Sequence, residues 1–418
     1  MSTPPVAPSM GRRAAPTPAV APCDAPAPIP FHRTVIEDDA IAAITATLRS
    51  GWLTSGPRAR ELEAGLAELL GRRHAVALNS ATSALFLACK AAGVGPGDEV
   101  LVPAITFMAT AEVALHLGAR PVIVDVDDAT LLIDPVDLER KLTRRARLIA
   151  PVHFAGQPCA MRQLRSLAAA ERLAIVEDAA HCLTGSAAGD EAAPGADRWR
   201  PGDGTLAAAL SFYATKELPI GEGGALVSDD DGVIERARRW SLHGISRPAH
   251  ARMQVGARAT YDVEDVGYKM NLPDVLATLG VAQLPRMAAH RARRAALAAR
   301  YDAALADVPG IRPLPTRPGF ASAHHLYVVR VDPAAAGLDR DQLAAQLGAR
   351  GIGTSVHFTP LHEMTALKSL LGTRSADCPV AARAGREVLS LPLHPALTDA
   401  DCDRVSRELR LIVAEHAP

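Results

Sequence analysis

Lys216 stands in Ser211-Phe212-Tyr213-Ala214-Thr215-Lys216, just past the apolar run Leu206–Leu210 and just before the turn Gly221-Glu222-Gly223-Gly224. A lysine drawn in beside a buried strand is costly unless its charge is paired or removed. A Schiff base with a carbonyl cofactor or substrate removes it. Taken alone, a lysine in a loop reads more often as a solvated surface residue. A cofactor bearing an aldehyde, a phosphate and a pyridine ring needs three further things. Ser80-Ala81-Thr82, at a strand-to-helix junction, offers backbone N–H groups and two hydroxyls to a phosphate. The same residues also read as ordinary helix caps. Asp178, at a strand end, offers a carboxylate beside the ring nitrogen, where it keeps the ring protonated and electron-withdrawing. By itself Asp178 reads more often as a cap or an ion-pair partner. Phe107 offers a flat apolar face for stacking, or a core side chain. Each signal is weak alone. Asp178 one strand–loop–strand step ahead of Lys216, with Ser80–Thr82 far upstream, is a much stronger joint pattern.

The elements that must position these groups alternate. Ala75–Leu78, Glu99–Val102, Pro121–Val124, Leu148–Val152 and Leu173–Val176 read as strands. Helical stretches follow most of them, from Asn79 to Ala92, after Thr106-Phe107 to Leu117 and from Ala160 to Glu171. Such alternation predicts an α/β fold with a mostly parallel sheet covered by helices on both faces. Ligands of such sheets sit at the carboxyl ends of the strands. Ser80, Thr82, Phe107, Asp125, Asp178 and His181 all fall there and are expected to converge. Ahead of this region, Ile41, Ile44 and Leu48 recur at helical spacing. Ser186–Asp203 reads as an inserted loop, and Ser246–Glu264 as a second loop carrying Arg247, His250, Arg252 and Arg258. A helical region interrupted near Pro285 leads to a smaller α+β unit with strands His325–Val331 and Ile352–Phe358, a helix Asp339–Arg350 and a last helix opened by Thr398-x-x-Asp401. The expected organisation is a Pro/Ala-rich disordered tail over 1–30, a large domain over 31–285 and a small C-terminal domain over 286–418.

A formal net charge of −1 over 418 residues gives no electrostatic reason to expect nucleic acid or a membrane surface as partner. The six cysteines form no C-x-x-C pair, so neither a disulfide framework nor a zinc site is expected. A reducing compartment, the cytoplasm, fits best. No apolar run reaches the roughly 20 residues of a membrane helix. Arg12-Arg13 is followed by prolines rather than an apolar stretch, so it does not read as an export signal.

Several further motifs carry a resemblance. Gly51-Trp52-Leu53-Thr54-Ser55-Gly56-Pro57, Gly95-Pro96-Gly97-Asp98-Glu99-Val100, Glu177-Asp178-Ala179-Ala180-His181, Gly351-Ile352-Gly353-Thr354 and the two motifs around Lys216 stand in order over nearly the whole chain. From about Phe31 onward the chain resembles the DegT/DnrJ/EryC1/StrS family of pyridoxal-phosphate sugar aminotransferases, and most of all those that make UDP-4-amino-4-deoxy-L-arabinose. The resemblance implies a fold-type-I aminotransferase, a homodimer whose active sites are shared between subunits, and pyridoxal 5′-phosphate as cofactor. It implies an amino-acid donor, glutamate, and a keto-sugar acceptor that is nucleotide-linked. By position, Lys216 is similar to the imine lysine, Asp178 to the partner of the ring nitrogen and His181 to the residue at the cofactor's phenolic oxygen. Phe107 takes the ring-stacking position, Ser80, Thr82 and Ser211 the phosphate positions, and Asn271 that of an asparagine reaching the phosphate from the other subunit. The length of Ser186–Asp203 and the N-terminal tail depart from the family pattern. Relatives that act as sugar dehydratases carry histidine in place of the lysine, and Lys216 argues against that reaction. No DNA-binding helix pair is appended for a cofactor-binding regulator, and no G-x-G-x-x-G follows a strand for a nicotinamide enzyme.

Overall fold

The computed structural model describes residues 27–188, 191, 198–246 and 260–416. Its centre is a seven-stranded sheet. The strands are β1 (His74–Leu78), β2 (Glu99–Pro103), β3 (Arg120–Val124), β4 (Ala146–Ile149), β5 (Ala174–Asp178), β8 (Ala207–Ser211) and β9 (Gly224–Ser228). Two short strands, β6 (Ser186–Ala188) and β7 (Arg198–Trp199), lie outside it. The sheet order is β1-β9-β8-β5-β4-β2-β3. From β8 to β3 every pairing is parallel, whereas β9 runs antiparallel to both β8 and β1.

Successive side chains of a strand point to opposite faces. Val76, Leu78, Ala207, Ala209 and Leu226 accordingly join one apolar cluster. The intervening Ala75, Ala77, Ala208, Leu210, Ala225 and Val227 join another, with Leu62, Leu66 and Leu70 of the helix Pro57–Leu70. Both faces are therefore buried, which explains why these strands read as unbroken apolar runs rather than alternating ones.

The turn between β8 and β9 carries Lys216. It closes through Phe212 N–H to Gly223 O (2.9 Å) and Ile220 N–H to Phe212 O (2.9 Å). Gly224, opposite Ser211, lies so close to the next element that a Cβ there would meet Ala81 N and the Ser80 carbonyl carbon, each at 2.4 Å. Glycine thus lets the start of helix Ala81–Ala91 approach the end of β8.

Beyond the expected interruption, a 3₁₀ turn at Leu284–Arg286, helix Met287–Leu305 packs on the last helix Asp399–His416. That helix opens as its sequence predicts, with Asp401 N–H donating to Thr398 Oγ1 (3.1 Å) and Thr398 N–H to Asp401 Oδ2 (3.0 Å). A second sheet runs β10 (Ile311–Pro313), β12 (Tyr327–Val331) and β13 (Val388–Leu391), all antiparallel. The segment Ile352–Phe358 is not a strand. The four buried residues of β13 take the place beside β12, and the expected strand keeps single bridges, Ile352 to Ile29 and Ser355 to Ser390.

Three other expectations change. Helix Asp38–Arg49 forms, but Ile41 and Leu48 are each 52% exposed. Its buried residues are Ala40 and Thr47, the latter bonded to Thr278 Oγ1 at 2.9 Å. The Ser186–Asp203 segment is not simply a loop. β6 pairs with β7 and with β11 (Phe320–Ala321), and Trp199 is fully buried against His153, ring centroids 4.8 Å apart. The expected tail lies outside the described residues as far as residue 26, but Ile29 is only 3% exposed and bonds to the backbone of Gly351 and Gly353. The basic loop residues Arg247, His250, Arg252 and Arg258 lie outside the described residues. Among the described residues no helix is long and apolar enough to cross a membrane.

Candidate active site

A cavity of about 390 Å³ opens at the carboxyl ends of the central strands. Ser80, Ala81, Thr82, Phe107, Asp178, His181, Ser211 and Lys216 all line it. The reason is topological. Asp178 ends β5 and Ser211 ends the neighbouring parallel strand β8, in a register that pairs Asp178 with Ala209. The helix that starts at Ala81 is held to the same edge by the close approach of Gly224.

Ser80 caps that helix, its Oγ accepting from Ser83 N–H at 3.1 Å. The amides of Ala81 and Thr82 stand in the first turn, where no helical carbonyl precedes them. Asp178 is buried. Its Oδ2 accepts from Thr110 Oγ1 at 2.7 Å, and its Oδ1 accepts from Ala180 N–H at 3.1 Å. Thr110 in turn meets Thr106 Oγ1 at 2.8 Å. Burial lowers the Lys216 ammonium to about 8, with Asp178 and Glu217 pulling it upward. Glu217 does not line the cavity; it accepts from Leu183 N–H (2.6 Å) and Thr184 N–H (3.1 Å). His181 is buried, and burial, then the charge of Lys216, holds its pKa well below the usual imidazole value. Its Nδ1 has no hydrogen-bond partner among the described residues.

Behind Asp178, on the other side of β5, His153 Nδ1 accepts from Cys159 N–H at 3.0 Å. Its Nε2 therefore carries the hydrogen and donates to Glu177 Oε2 at 2.8 Å. Gly202 N–H and Thr205 Oγ1 donate to the other Glu177 oxygen, at 3.1 and 2.6 Å. The backbone of His153 also donates to Asp178 O at 3.1 Å, so this pair fixes the end of the strand that carries Asp178.

One sequence expectation is corrected. Asp125 does not converge on the cavity. Its carboxylate caps helix Pro379–Glu387, accepting from Val380 N–H (2.9 Å) and Ala381 N–H (2.8 Å). Asn271 does not line the cavity of its own chain. It lies beside Ser55, to whose Oγ its Nδ2 donates at 2.6 Å, and it also meets Lys269 Nζ. Residues missed by sequence reasoning are Thr110 and the imidazole-rich wall of His32, His325 and His357 with Phe31 and Phe358. Thr110 carried a usable signal, since it is a polar residue in the first turn of the helix that follows β2 at the carboxyl edge of the sheet.

The sheet, the lysine turn and the strand-end carboxylate define a fold-type-I transferase dependent on pyridoxal phosphate. The chain belongs to the DegT/DnrJ/EryC1/StrS aminotransferase family, whose model matches residues 34–410. It is 41% identical over 394 residues to the spore coat polysaccharide biosynthesis protein SpsC of Bacillus subtilis, covering 92% of this chain and 97% of SpsC. Among solved structures it is similar to the putative sugar aminotransferase Spr1654 from Streptococcus pneumoniae in its PMP form. That likeness is at 33% identity and a TM-score of 0.84, over 93% of this chain and 99% of the other. It is similar also to DesV from S. venezuelae at 35% identity, TM-score 0.80, over 90% and 94% of the two chains. Pyridoxal phosphate fits the residues present. The cavity holds a desolvated lysine, an open helix start and a buried imidazole nitrogen with no protein partner.

Proposed function

We propose that the chain moves an amino group from an amino acid, L-glutamate, to a keto-sugar carried on a nucleotide, in two ping-pong half-reactions. The observation that carries the reading is the convergence of Lys216, Asp178 and His181 on one cavity. Bound there, pyridoxal phosphate supplies an aldehyde for amines and a ring that draws electrons from the carbon being deprotonated.

The chain's own residues then have distinct tasks. Lys216, neutral above about pH 8, holds the aldehyde. Lys216 Nζ would also serve as the general base that takes the donor's α-proton and, in the second half-reaction, as the general acid that delivers a proton to the acceptor's carbon. Asp178, oriented by Thr110 and Ala180, would hold the ring nitrogen. His181 Nδ1 is the group offered to the phenolic oxygen. The amides of Ala81 and Thr82 and the hydroxyls of Ser80, Thr82 and Ser211 hold the phosphate. Phe107, at the mouth and 61% exposed in the single chain, covers the ring face.

The enzyme works as a homodimer, Asn271 reaching the partner's phosphate. Supporting this are the separation of Asn271 from its own cavity and the exposed apolar residues Ile41, Leu48 and Leu53. The five described cysteines are all free, which agrees with a cytoplasmic enzyme.

A half-reaction screen tests the substrate. The pyridoxamine form is prepared, and nucleotide-linked keto-sugars are added one at a time. Return of the aldehyde-form absorbance with one of them is expected. Return with simple keto acids only would overturn the acceptor assignment.

A further inference from the structure

We propose that Phe31 and His32 determine acceptor specificity, carried into the cavity by an N-terminal strap of residues 29–34. The inference rests on the keto-sugar reading above.

The strap is anchored at both ends. At its start, Ile29 N–H donates to Gly351 O and Ile29 O accepts from Gly353 N–H, both at 2.8 Å. A Cβ on Gly353 would lie 2.6 Å from Phe31 N, so the strap passes over a residue that cannot carry a side chain. At its other end Thr34 Oγ1 donates to Ala214 O at 2.7 Å, two residues before Lys216. Between these anchors Phe31 stacks on His357, centroids 5.6 Å apart and planes 29° apart. His32 meets the ring of His394 edge-on at 5.8 Å. Both Phe31 and His32 line the cavity. His357 is fixed from behind, its Nδ1 2.8 Å from Ser390 Oγ.

The chemistry of this wall differs from that of the strand ends. Phe31, His32, His325, His357 and Phe358 present aromatic faces and imidazole nitrogens, with no guanidinium or carboxylate among them. Burial keeps His32 and His357 uncharged near neutral pH, their pKa values lowered to about 4. Such a wall suits a neutral ring with one apolar C–H face and several hydroxyls, as in a pyranose. None of these five side chains brings a positive charge for the side-chain carboxylate of an acidic amino donor, and Arg33 of the strap does not line the cavity. The strap therefore acts on the acceptor half-reaction.

The test compares wild type with Phe31→Ala, Phe31→Leu, His32→Ala and His32→Gln. Each variant is first checked for wild-type circular dichroism and cofactor absorbance; the two conservative variants keep the comparison valid if the alanine variants do not fold. The acceptor is whichever carbonyl compound the wild type turns over in the half-reaction screen. The alanine variants are expected to raise acceptor KM by about 10-fold or more with kcat changed much less. The rate of the glutamate half-reaction should stay within about threefold of wild type. Titration calorimetry of the same acceptor into Lys216→Ala, with and without the strap substitutions, should show a matching loss of affinity. Unchanged acceptor KM and affinity, or an equal fall in both half-reactions, would overturn the proposal. Should no nucleotide-linked keto-sugar be turned over by wild type, the substrate reading fails, and the strap is still judged on the acceptor that is.

Discussion

Thr110 Oγ1 donates to Asp178 Oδ2 at 2.7 Å across 68 residues of sequence, joining helix Ala109–His116 to the last residue of β5. A hydrogen bond to a charged group contributes about 1.5–3 kcal/mol. Thr110→Val keeps the shape and removes the donor. It should lower kcat about tenfold and shift the pH dependence of the cofactor's visible absorbance, whereas Thr110→Ser should restore both. A valine variant identical to wild type in rate and spectrum would show that the bond does not orient the carboxylate.

Lys216→Ala should abolish turnover and leave the fold intact, because Nζ lines a cavity rather than a packed contact. In the wild type, the lowered pKa of Lys216, about 8, should govern how the apoenzyme takes up its cofactor. The shift is downward, so the reactive neutral amine dominates above about pH 8 instead of above the ordinary lysine value of 10.5. Holoenzyme formation, followed by stopped-flow absorbance, should rise about tenfold per pH unit below that midpoint and level off above it. A rate still climbing steeply beyond pH 9 would contradict the desolvated amine.

Asp178→Asn should bind cofactor yet lose at least ~10²-fold in kcat, as with other preorganised electrostatic contacts. Steady-state rates together with cofactor content measured after dialysis check this. An asparagine variant as active as wild type would mean that another group faces the ring nitrogen.

The imidazoles in the cavity should make the apoenzyme acid-sensitive. Burial lowers His32 and His357 from 6.5 to about 4, with Arg294 adding to the effect at His32 and Lys216 at His357. Between those pH values the unfolded chain binds protons that the folded chain refuses, so stability falls as pH drops from about 6.5 to about 4. Urea midpoints across that range should decline, and the double variant His32→Gln, His357→Gln should show a shallower slope. An unchanged slope would remove these two groups from the acid response.

Asn271 should act in trans. Subunits carrying Lys216→Ala are mixed with Asn271→Ala subunits and allowed to exchange. A mixed dimer then has one site with both defects and one with neither, so activity returns. With exchange confirmed by a tag on one subunit, no recovery would place Asn271 in the service of its own chain.

The central sheet and most of its site were legible in the chain itself. Strands buried on both faces leave unbroken apolar runs, and in a parallel sheet the residues after such runs share one edge. Ser80, Thr82, Phe107, Asp178 and His181 could be gathered on that rule without any knowledge of contacts. Lys216 stands next to a glycine-rich turn in the sequence itself, whereas the close approach of Ser80 and Ala81 to Gly224 shows only in the fold. Other features were settled only by competition between distant segments. Val388–Leu391, buried at every residue, took the edge of β12, and Ile352–Phe358 was left with single bridges to Ile29 and Ser390, a ranking that only packing decides. Helix Asp38–Arg49 turned Ala40 and Thr47 inward, where small side chains let helix Asp274–Gln283 approach, and left Ile41 and Leu48 outside. Asp125 and Asp178 are both acidic residues at the end of parallel strands. One caps a helix that follows more than 250 residues later and the other faces the cavity, a difference decided by what the tertiary fold brings within hydrogen-bond reach.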